Sequence, residues 1–178
     1  MRIHDKIFQP YISADLLQKR VGELAQKVAA DLGDIRPIFV GILNGSFMFV
    51  SDFLKQYPYA CELSFIKLSS YSGIESTEHV RSLIGMDENP EGRTVIILED
   101  IVDTGNTLET IYHIFEEKKV ADLKIATLFY KPESFKKNLK IDYVGFEIPN
   151  KFILGYGLDY DGLGRNLPEI YQLKTDTN

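Results

Sequence analysis

The chain of 178 residues has no tryptophan, one cysteine, three methionines and three histidines. A single cysteine, Cys61, cannot form a disulfide within the chain, so we expect a reduced, cytoplasmic protein in which Cys61 is a buried thiol. His4, His79 and His113 do not have the spacing of metal ligands. No apolar run is long enough for a membrane span, and the first residues lack the apolar stretch of a signal peptide.

Basic residues are fewer than acidic ones. The chain has 20 Lys and Arg and 26 Asp and Glu, which give a formal net charge of −6. This balance disfavours a protein whose main role is to bind nucleic acid. It leaves open the binding of a phosphorylated small molecule, which local backbone N–H groups and metal ions can hold. The length and a 44% apolar composition predict one globular domain, 1–178, with a sizeable core.

Short apolar segments alternate with segments of helical periodicity. We predict strands over 37–43, 63–68, 94–98, 123–129 and 142–146, and helices over 13–32, 47–54 and 108–118. Nearly continuous apolar strands are typical of a parallel sheet that is buried on both faces. The pattern therefore predicts an α/β fold with a mainly parallel central sheet flanked by helices.

The remaining segments carry weaker signals. In the first helix, Ser13 is a candidate N-cap and Gly33 a candidate stop, and the apolar face includes Leu16. The polar stretch 69–89 has little periodicity, and much of it is interpreted as a long loop or mobile arm. The segment after Phe146 is rich in Gly, Tyr and Asp, which predicts short strands and turns that cap one end of the sheet.

The most informative segment is 94–108, where a predicted strand is followed at once by Glu99 and Asp100. Residues 103–107, Asp-Thr-Gly-Asn-Thr, then lead into a helix, and we call them the phosphate turn. A tight turn with a Gly, small hydroxyl side chains and free N–H groups at a helix start suits a dianionic phosphate. Ligands of open α/β sheets bind at this edge, beyond the carboxyl ends of the strands.

The carboxylates of this segment have separate expected roles. Glu99 and Asp100 should point to opposite sides of the strand. At a strand end they can accept hydrogen bonds from ribose hydroxyls or hold a hydrated Mg²⁺. Asp103 is positioned to act as a base or to stabilise charge beside the sugar. The alternative is an ordinary strand–turn–helix junction in which Asp103 is a helix N-cap.

Segment 94–108 resembles the phosphoribosyl-pyrophosphate signature of the type I phosphoribosyltransferases. Segments 41–49, 70–71, 130–132 and 144–165 extend the likeness. In that order they are similar to the hypoxanthine (or hypoxanthine–guanine) phosphoribosyltransferases, and the resemblance covers residues 11–170. It implies the type I phosphoribosyltransferase fold, with a core over 14–146 and a small hood from 1–13 and 147–178.

The resemblance also implies an activity. Enzymes of this family transfer phosphoribosyl from phosphoribosyl pyrophosphate to N9 of a 6-oxopurine in a reaction that depends on Mg²⁺. The expected role is purine salvage, in which hypoxanthine and also guanine give IMP or GMP together with pyrophosphate. The family commonly forms dimers or tetramers, and we expect the surface around 47–53 to pack against another subunit.

The resemblance assigns roles residue by residue. Asp103 is the catalytic base facing N7 of the purine. Phosphoribosyl pyrophosphate is bound by Glu99, Asp100, Thr104, Gly105, Asn106, Thr107, Asn44, Gly45 and Arg165. The purine is bound by Lys131, which donates to its 6-oxo group, by the stacking ring of Phe152, by the backbone near Ile153, and by Ile101 on the opposite face. Mg²⁺ is held by Glu99, Asp100 and Asp159.

The resemblance implies two further features. Ser70 and Tyr71 begin a mobile loop that closes over the substrates. The peptide between Leu43 and Asn44 is often cis in the family. Without the resemblance, Lys131 would be interpreted as a solvated strand-end lysine, Phe152 as core, Asp159 as a turn residue and Arg165 as a surface residue.

The sequence departs from the family where Asn44 and Asn106 replace residues that are often basic. We expect a weaker hold on phosphoribosyl pyrophosphate, or more reliance on Mg²⁺, Arg165 and backbone donors. A sibling enzyme specific for xanthine or guanine stays open. A regulatory protein that senses nucleotides or binds RNA is a further alternative. A synthase of phosphoribosyl pyrophosphate would need ATP-binding elements and a longer chain.

Overall fold

The computed structural model describes residues 1–69, 81–84, 86 and 89–174. Two sheets organise these residues, a central one of six strands in the order β5-β4-β3-β6-β7-β8 and a small one in the order β1-β2-β10-β9. The strands are β1 Arg2–Ile3, β2 Lys6–Ile12, β3 Ile38–Leu43, β4 Glu62–Ser69, β5 Arg81–Ile84, β6 Thr94–Val102, β7 Asp122–Tyr130, β8 Tyr143–Glu147, β9 Ile153–Leu154 and β10 Ile170–Leu173. The helices are α1 Ala14–Leu32, α2 Phe47–Gln56 and α3 Asn106–Glu117.

The central sheet confirms the predicted α/β architecture, since β4, β3, β6, β7 and β8 pair in parallel. Its middle strands are buried on both faces, and Val95, Ile96, Ile97 and Leu98 of β6 are fully inaccessible. The interpretation of 69–89 as a loop is wrong over Arg81–Ile84, which forms β5 antiparallel to β4. The strand has only four residues, too few to show a periodic apolar pattern in the sequence.

Helices cover both faces of this sheet. The helices α1 and α2 pack with one set of core residues that includes Leu17 and Phe49, and α3 packs with another that includes Ile111 and Phe115. The Ser13 hydroxyl oxygen accepts a hydrogen bond from Leu16 N at 3.4 Å, which confirms the N-cap of α1.

One apolar prediction on these helices is wrong, because Leu16 belongs to the solvent side of α1 and is exposed. Of the aromatic residues in 47–53, Phe49 and Phe53 are fully buried in the chain's own core, and Phe47 is exposed. The packing of this surface against another subunit stays a prediction.

The small antiparallel sheet confirms the predicted hood. Strand β10 pairs with β2 along Ile170–Ile12 to Leu173–Phe8, and on its other side with β9. Phe8 and Ile170 are buried, so apolar packing stabilises the hood. Segments from both ends of the chain thus meet over one end of the central sheet. Across the described ranges, no helix is both long and apolar enough to cross a membrane.

Candidate active site

Strand β6 runs through both acidic residues of the signature and ends only at Val102. The expectation that the strand stops at Leu98 is therefore wrong. The ladder with β3 ends at the Gly41–Leu98 pair, but the ladder with β7 continues to Val102–Tyr130. Glu99 and Asp100 consequently extend past β3 while β7 still holds their backbone.

The phosphate turn joins β6 to α3 and forms one wall of a pocket of about 250 Å³. Gly105 caps α3 with φ +90, and a Cβ there would lie 2.6 Å from the ring of Phe135. Glu109 N donates to Gly105 O at 3.0 Å, so the N–H groups of Asn106, Thr107 and Leu108 precede the first turn of intrahelical bonds. The pocket is lined by Glu99, Ile101, Val102, Asp103, Thr104, Gly105, Asn106, Thr107 and Leu108.

Helix α3 begins at Asn106, two residues before the predicted start, with Gly105 as its N-cap. The alternative in which Asp103 is the N-cap is therefore wrong, and Asp103 is left for other contacts. The free N–H groups at the helix start, together with the partial positive charge of that end, suit an anion in the pocket.

Glu99 lines the pocket and is buried, with 6% of its surface exposed. Its Oε2 has no hydrogen-bond partner among the described residues. Burial raises the pKa of Glu99 well above its ordinary value, and the neighbouring charge of Asp100 raises it further. A buried acceptor without a donor at a pocket wall is available for a ligand hydroxyl or a cation.

Asp100 points to the other side of β6, as predicted, and packs against Gly45 at the start of α2. A Cβ at Gly45 would lie 1.5 Å from Asp100 Oδ2, so only glycine fits there. Burial raises the pKa of Asp100 to about 6, although the Ile101 N–H and the charge of Arg165 act to lower it. The charge of Asp159 raises the pKa further, so Asp100, Asp159 and Arg165 share one region.

Asp103 and Lys131 form an ion pair, with Lys131 Nζ donating to Asp103 Oδ2 at 2.8 Å. The Lys131 side chain is only 8% exposed, whereas that of Asp103 is 43% exposed. The interpretation of Lys131 as a solvated residue is therefore wrong. Its backbone N–H also bonds to Val102 O at 3.0 Å, which fixes the end of β7 beside the end of β6.

Residues 155–165, which we call the hood loop, contribute Asp159 and Arg165. The Arg165 guanidinium contacts Asp159 Oδ1 at 2.6 Å and donates to Gly157 O at 2.8 Å. Asp159 Oδ2 accepts from Gly162 N at 2.8 Å. Gly157 has φ +100, and a Cβ there would lie 2.0 Å from Gly45 O. The hood loop thus touches the start of α2 directly.

Two residues that sequence reasoning missed hold the hood loop in place. The hydroxyl of Tyr156 donates to Asp52 of α2 at 2.7 Å. Gln18 of α1 and Lys55 also donate to Asp52. Tyr156 is buried and has φ +48. The pair of glycines around Tyr156 was a signal for an unusual backbone, but Asp52 lies on an ordinary helix and carried no signal.

The predicted purine-binding residues are only partly brought together. Ile101 lines the pocket, whereas Phe152 lies in the hood, 42% exposed, with its ring centroid 5.6 Å from that of Tyr160. The interpretation of Phe152 as core is therefore wrong. The side chain of Ile153 is buried, so its backbone alone could contact a purine.

Three further predictions can be placed. The peptide between Leu43 and Asn44 is cis. Ser70 and Tyr71 lie outside the described residues, and their role as a mobile loop stays a prediction. The described residues contain no group of three or more His, Cys, Asp or Glu side chains arranged to hold a metal ion. The assignment of Mg²⁺ to Glu99, Asp100 and Asp159 stays a prediction.

The chain matches known proteins over most of its length. Residues 13–161 match the model of the phosphoribosyl transferase domain. A hypoxanthine-guanine phosphoribosyltransferase of Bacillus subtilis is 39% identical over 98% of this chain and 97% of its own. One of Streptococcus agalactiae is 41% identical over 93% of this chain and 92% of its own.

Solved structures agree with these relatives. A hypoxanthine-guanine phosphoribosyltransferase from Bacillus anthracis superposes with a TM-score of 0.87 at 39% identity, covering 92% of this chain and 97% of that one. A hypoxanthine phosphoribosyltransferase from Staphylococcus aureus has a TM-score of 0.88 at 38% identity, covering 96% and 94%. The chain therefore belongs to the hypoxanthine-guanine phosphoribosyltransferase group of the phosphoribosyl transferase family.

Proposed function

We propose that this enzyme transfers phosphoribosyl from phosphoribosyl pyrophosphate to N9 of hypoxanthine and of guanine, and so serves purine salvage. The products are IMP or GMP and pyrophosphate. The observation that carries the proposal is the Lys131–Asp103 pair, 2.8 Å apart at the edge of the pocket that contains the phosphate turn. It presents a hydrogen-bond donor and an acceptor side by side.

This pair suits a 6-oxopurine. Such a base carries an acceptor, O6, next to N7, which is a donor when protonated. Lys131 would donate to O6 and Asp103 would accept from N7. A 6-amino group is a donor and would meet the Lys131 ammonium unfavourably, so adenine is disfavoured. Ile101 and the exposed ring of Phe152 would bound the two faces of the base.

The residues fit the Mg²⁺ that the family uses. Magnesium takes oxygen ligands and commonly binds through one or two carboxylates together with substrate phosphates and water. Glu99 and Asp100 offer such carboxylates, as does Asp159 in the hood loop, and the unpartnered Oε2 of Glu99 would gain a partner. When bound, Mg²⁺ neutralises the charge of the leaving pyrophosphate.

The chain's own residues would act in one transfer step. The bond from C1 of the ribose to the pyrophosphate oxygen breaks, the bond from C1 to N9 forms, and the purine proton passes to Asp103. Residues 104–107 would hold the 5′-phosphate on free N–H groups and hydroxyls. Glu99 and Asp100 would hold the ribose, whose C1 develops positive charge as in glycoside chemistry. Arg165 and the segment Asn44–Gly45 would bind pyrophosphate.

The test is a spectrophotometric assay with phosphoribosyl pyrophosphate, Mg²⁺ and hypoxanthine, guanine, xanthine or adenine. We expect turnover with hypoxanthine and guanine that is lost when Mg²⁺ is chelated. Asp103→Asn should lower kcat by about 100- to 1,000-fold, because a general base contributes that much. Glu109→Gln, a carboxylate change in the first turn of α3, should change kcat less than threefold, roughly the scale of an exposed ion pair.

Other outcomes would redirect the proposal. Turnover with xanthine alone would identify a sibling enzyme. Folded protein that binds phosphoribosyl pyrophosphate but turns over none of the four bases would refute salvage and favour the regulatory alternative. The single-domain organisation, the homo-oligomeric assembly and the cytoplasmic location expected from the sequence stay predictions. Analytical ultracentrifugation would measure the assembly.

A further inference from the structure

The pocket that contains the phosphate turn is short of positive charge. Its described lining residues include two acids, Glu99 and Asp103, and neither Lys nor Arg. A phosphate monoester in this pocket would meet these carboxylates and would be held by backbone N–H groups and hydroxyls. Charges of like sign repel at such short range. The Lys131 ammonium already pairs with Asp103, so a further cation beside the phosphate turn would favour binding of the phosphate.

Lys137 lies against the phosphate turn from outside the pocket. Its Cγ would be 2.8 Å from a Cβ at Gly105, so its aliphatic stem packs across the left-handed residue that caps α3. The neighbouring backbone is tied to the same turn, since Lys136 N donates to Thr104 O at 3.4 Å. The segment that follows β7 therefore carries Lys137 to the phosphate turn, although the two are distant in sequence.

The ammonium of Lys137 forms an ion pair with Glu109 that remains partly exposed to solvent. Its Nζ contacts Glu109 Oε2 at 2.7 Å, and the two side chains are 27% and 48% exposed. Glu109 lies in the first turn of α3 and donates its N–H to Gly105 O. An exposed ion pair of this kind contributes little to stability, and a flexible lysine can exchange one anionic partner for another at small cost.

We propose that Lys137 supplies the cationic charge for the 5′-phosphate of the substrate by turning from Glu109 to the phosphate held by residues 104–107. This inference rests on the proposed function and adds a positioning charge that the motif itself lacks. The charge of Lys137 would also compensate for the neutral side chain of Asn106, which lines the pocket. Lys137 is not assigned to the bond-breaking step.

The first experiment compares the Michaelis constants of wild type and Lys137→Met, which keeps the stem over Gly105 and removes the charge. We expect the KM for phosphoribosyl pyrophosphate to rise about tenfold, the effect of one charged contact worth about 1.4 kcal/mol. The KM for hypoxanthine and the melting temperature should stay nearly unchanged. Lys136→Met is the matched control, because Lys136 is an exposed neighbouring lysine, and it should change neither KM by more than about twofold.

Two further variants separate this role from a purely structural ion pair. Glu109→Gln releases Lys137 and should lower the KM for phosphoribosyl pyrophosphate or leave it unchanged. Asn106→Lys places a cation at a lining position and should restore the KM in the Lys137→Met background, with a smaller effect in wild type. A rise in KM of the same size in Lys137→Met and Glu109→Gln would overturn the inference, as would a KM in Lys137→Met within twofold of wild type.

Failure of the proposed function is recognised separately. If wild type turns over none of the bases, titration of ribose 5-phosphate by calorimetry still tests Lys137. Weaker binding by Lys137→Met but not by Lys136→Met supports the inference even then. Equal binding by all three proteins, or the lack of binding by wild type, overturns it.

Discussion

The phosphate turn and the hood loop both carry residues assigned to one substrate, but they are built in different ways. The phosphate turn is contiguous, and its conformation follows from Gly105 and the start of α3. The hood loop depends on distant contacts, chiefly Tyr156 with Asp52 and Gly157 with Gly45. A change in the phosphate turn would act on residues 131–137, which contact it, whereas the hood loop transmits a change to the start of α2 and to Asp100.

The largest effect should come from the contact between the hood loop and the start of α2. Gly157→Ala forces a Cβ to within 2.0 Å of Gly45 O in a backbone with φ +100. We expect kcat/KM for phosphoribosyl pyrophosphate to fall by about 100-fold, equivalent to about 2.7 kcal/mol, and the melting temperature to drop. Steady-state kinetics and thermal unfolding measure both.

Gly162→Ala is the matched control for this contact. Gly162 has φ +84, but a Cβ there has nothing within 4 Å. It therefore incurs a backbone cost of about 1 kcal/mol without a clash. If the two variants lose the same activity, backbone strain rather than the contact with Gly45 explains the loss, and the comparison of the two regions fails.

The next largest effect should come from Asp100, because burial disfavours the ionised form of its carboxyl group. The pKa of Asp100 is about 6 in the folded protein, against 3.8 for an ordinary Asp. Asp100 therefore favours folding most below pH 3.8, where it is protonated in both states. This contribution to stability is lost as the pH rises through 6 and the buried carboxyl ionises. Asp100→Asn, whose Oδ1 can still accept from Ile101 N, should therefore raise the unfolding free energy by about 1–3 kcal/mol at pH 8 and hardly change it at pH 4. Chemical denaturation in magnesium-free buffer measures this.

Glu62→Gln provides a control of opposite sign for this pH dependence. The hydrogen bonds from Arg93 hold the pKa of Glu62 below its usual value, so its contribution to stability is present above pH 4.5 and lost as the pH falls. The variant should therefore destabilise the protein at pH 8. Stabilisation by both variants at pH 8 would mean that net negative charge, not burial of Asp100, sets the effect.

The smallest effect should come from the hydroxyl that anchors the hood loop. Tyr156→Phe keeps the ring and removes the hydrogen bond to Asp52, which retains Gln18 and Lys55 as partners. We expect a loss of about 1–2 kcal/mol in unfolding free energy and a threefold to tenfold rise in the KM for phosphoribosyl pyrophosphate, about 0.7–1.4 kcal/mol. The KM for hypoxanthine should stay unchanged.

Tyr160→Phe is the control for this anchor, because Tyr160 donates to the exposed carboxylate of Asp5 at 2.7 Å. The stability loss should be smaller than in Tyr156→Phe. Since the Tyr160 ring packs on Phe152, any kinetic change should appear in the KM for the purine and not in the KM for phosphoribosyl pyrophosphate. A shift in both Michaelis constants by either variant would contradict separate roles for these two tyrosines.

The sequence predicted features that depend on neighbours along the chain. Ser13 caps α1, the apolar strands form a parallel sheet, and residues 103–107 form a turn at a helix start. It failed where pairing partners decide the outcome. Strand β6 continues through Glu99 and Asp100 because β7 is there to pair with Val102, and β5 is a strand because β4 offers an edge for it to pair with.

Side-chain environments were the hardest to predict. Lys131 is buried because Asp103 pairs with it, and Phe152 is exposed because the hood presents it outward. Lys137 and Asp52 carried no sequence signal, since a lysine in a polar segment and an acid on a helix are ordinary features. Their contacts exist only once distant segments meet.

The hood has a consequence for how a newly made chain acquires its binding capacity. Its closing pairs join β2, at the beginning of the chain, to β10, the last strand described. At a synthesis rate of about 5–20 residues per second, β2 waits on the order of 10–30 s for this partner. Until then β2 pairs only with β1 and its other edge is open to neighbouring nascent chains. The surface that carries Phe152 can therefore be completed only after β10 has been made.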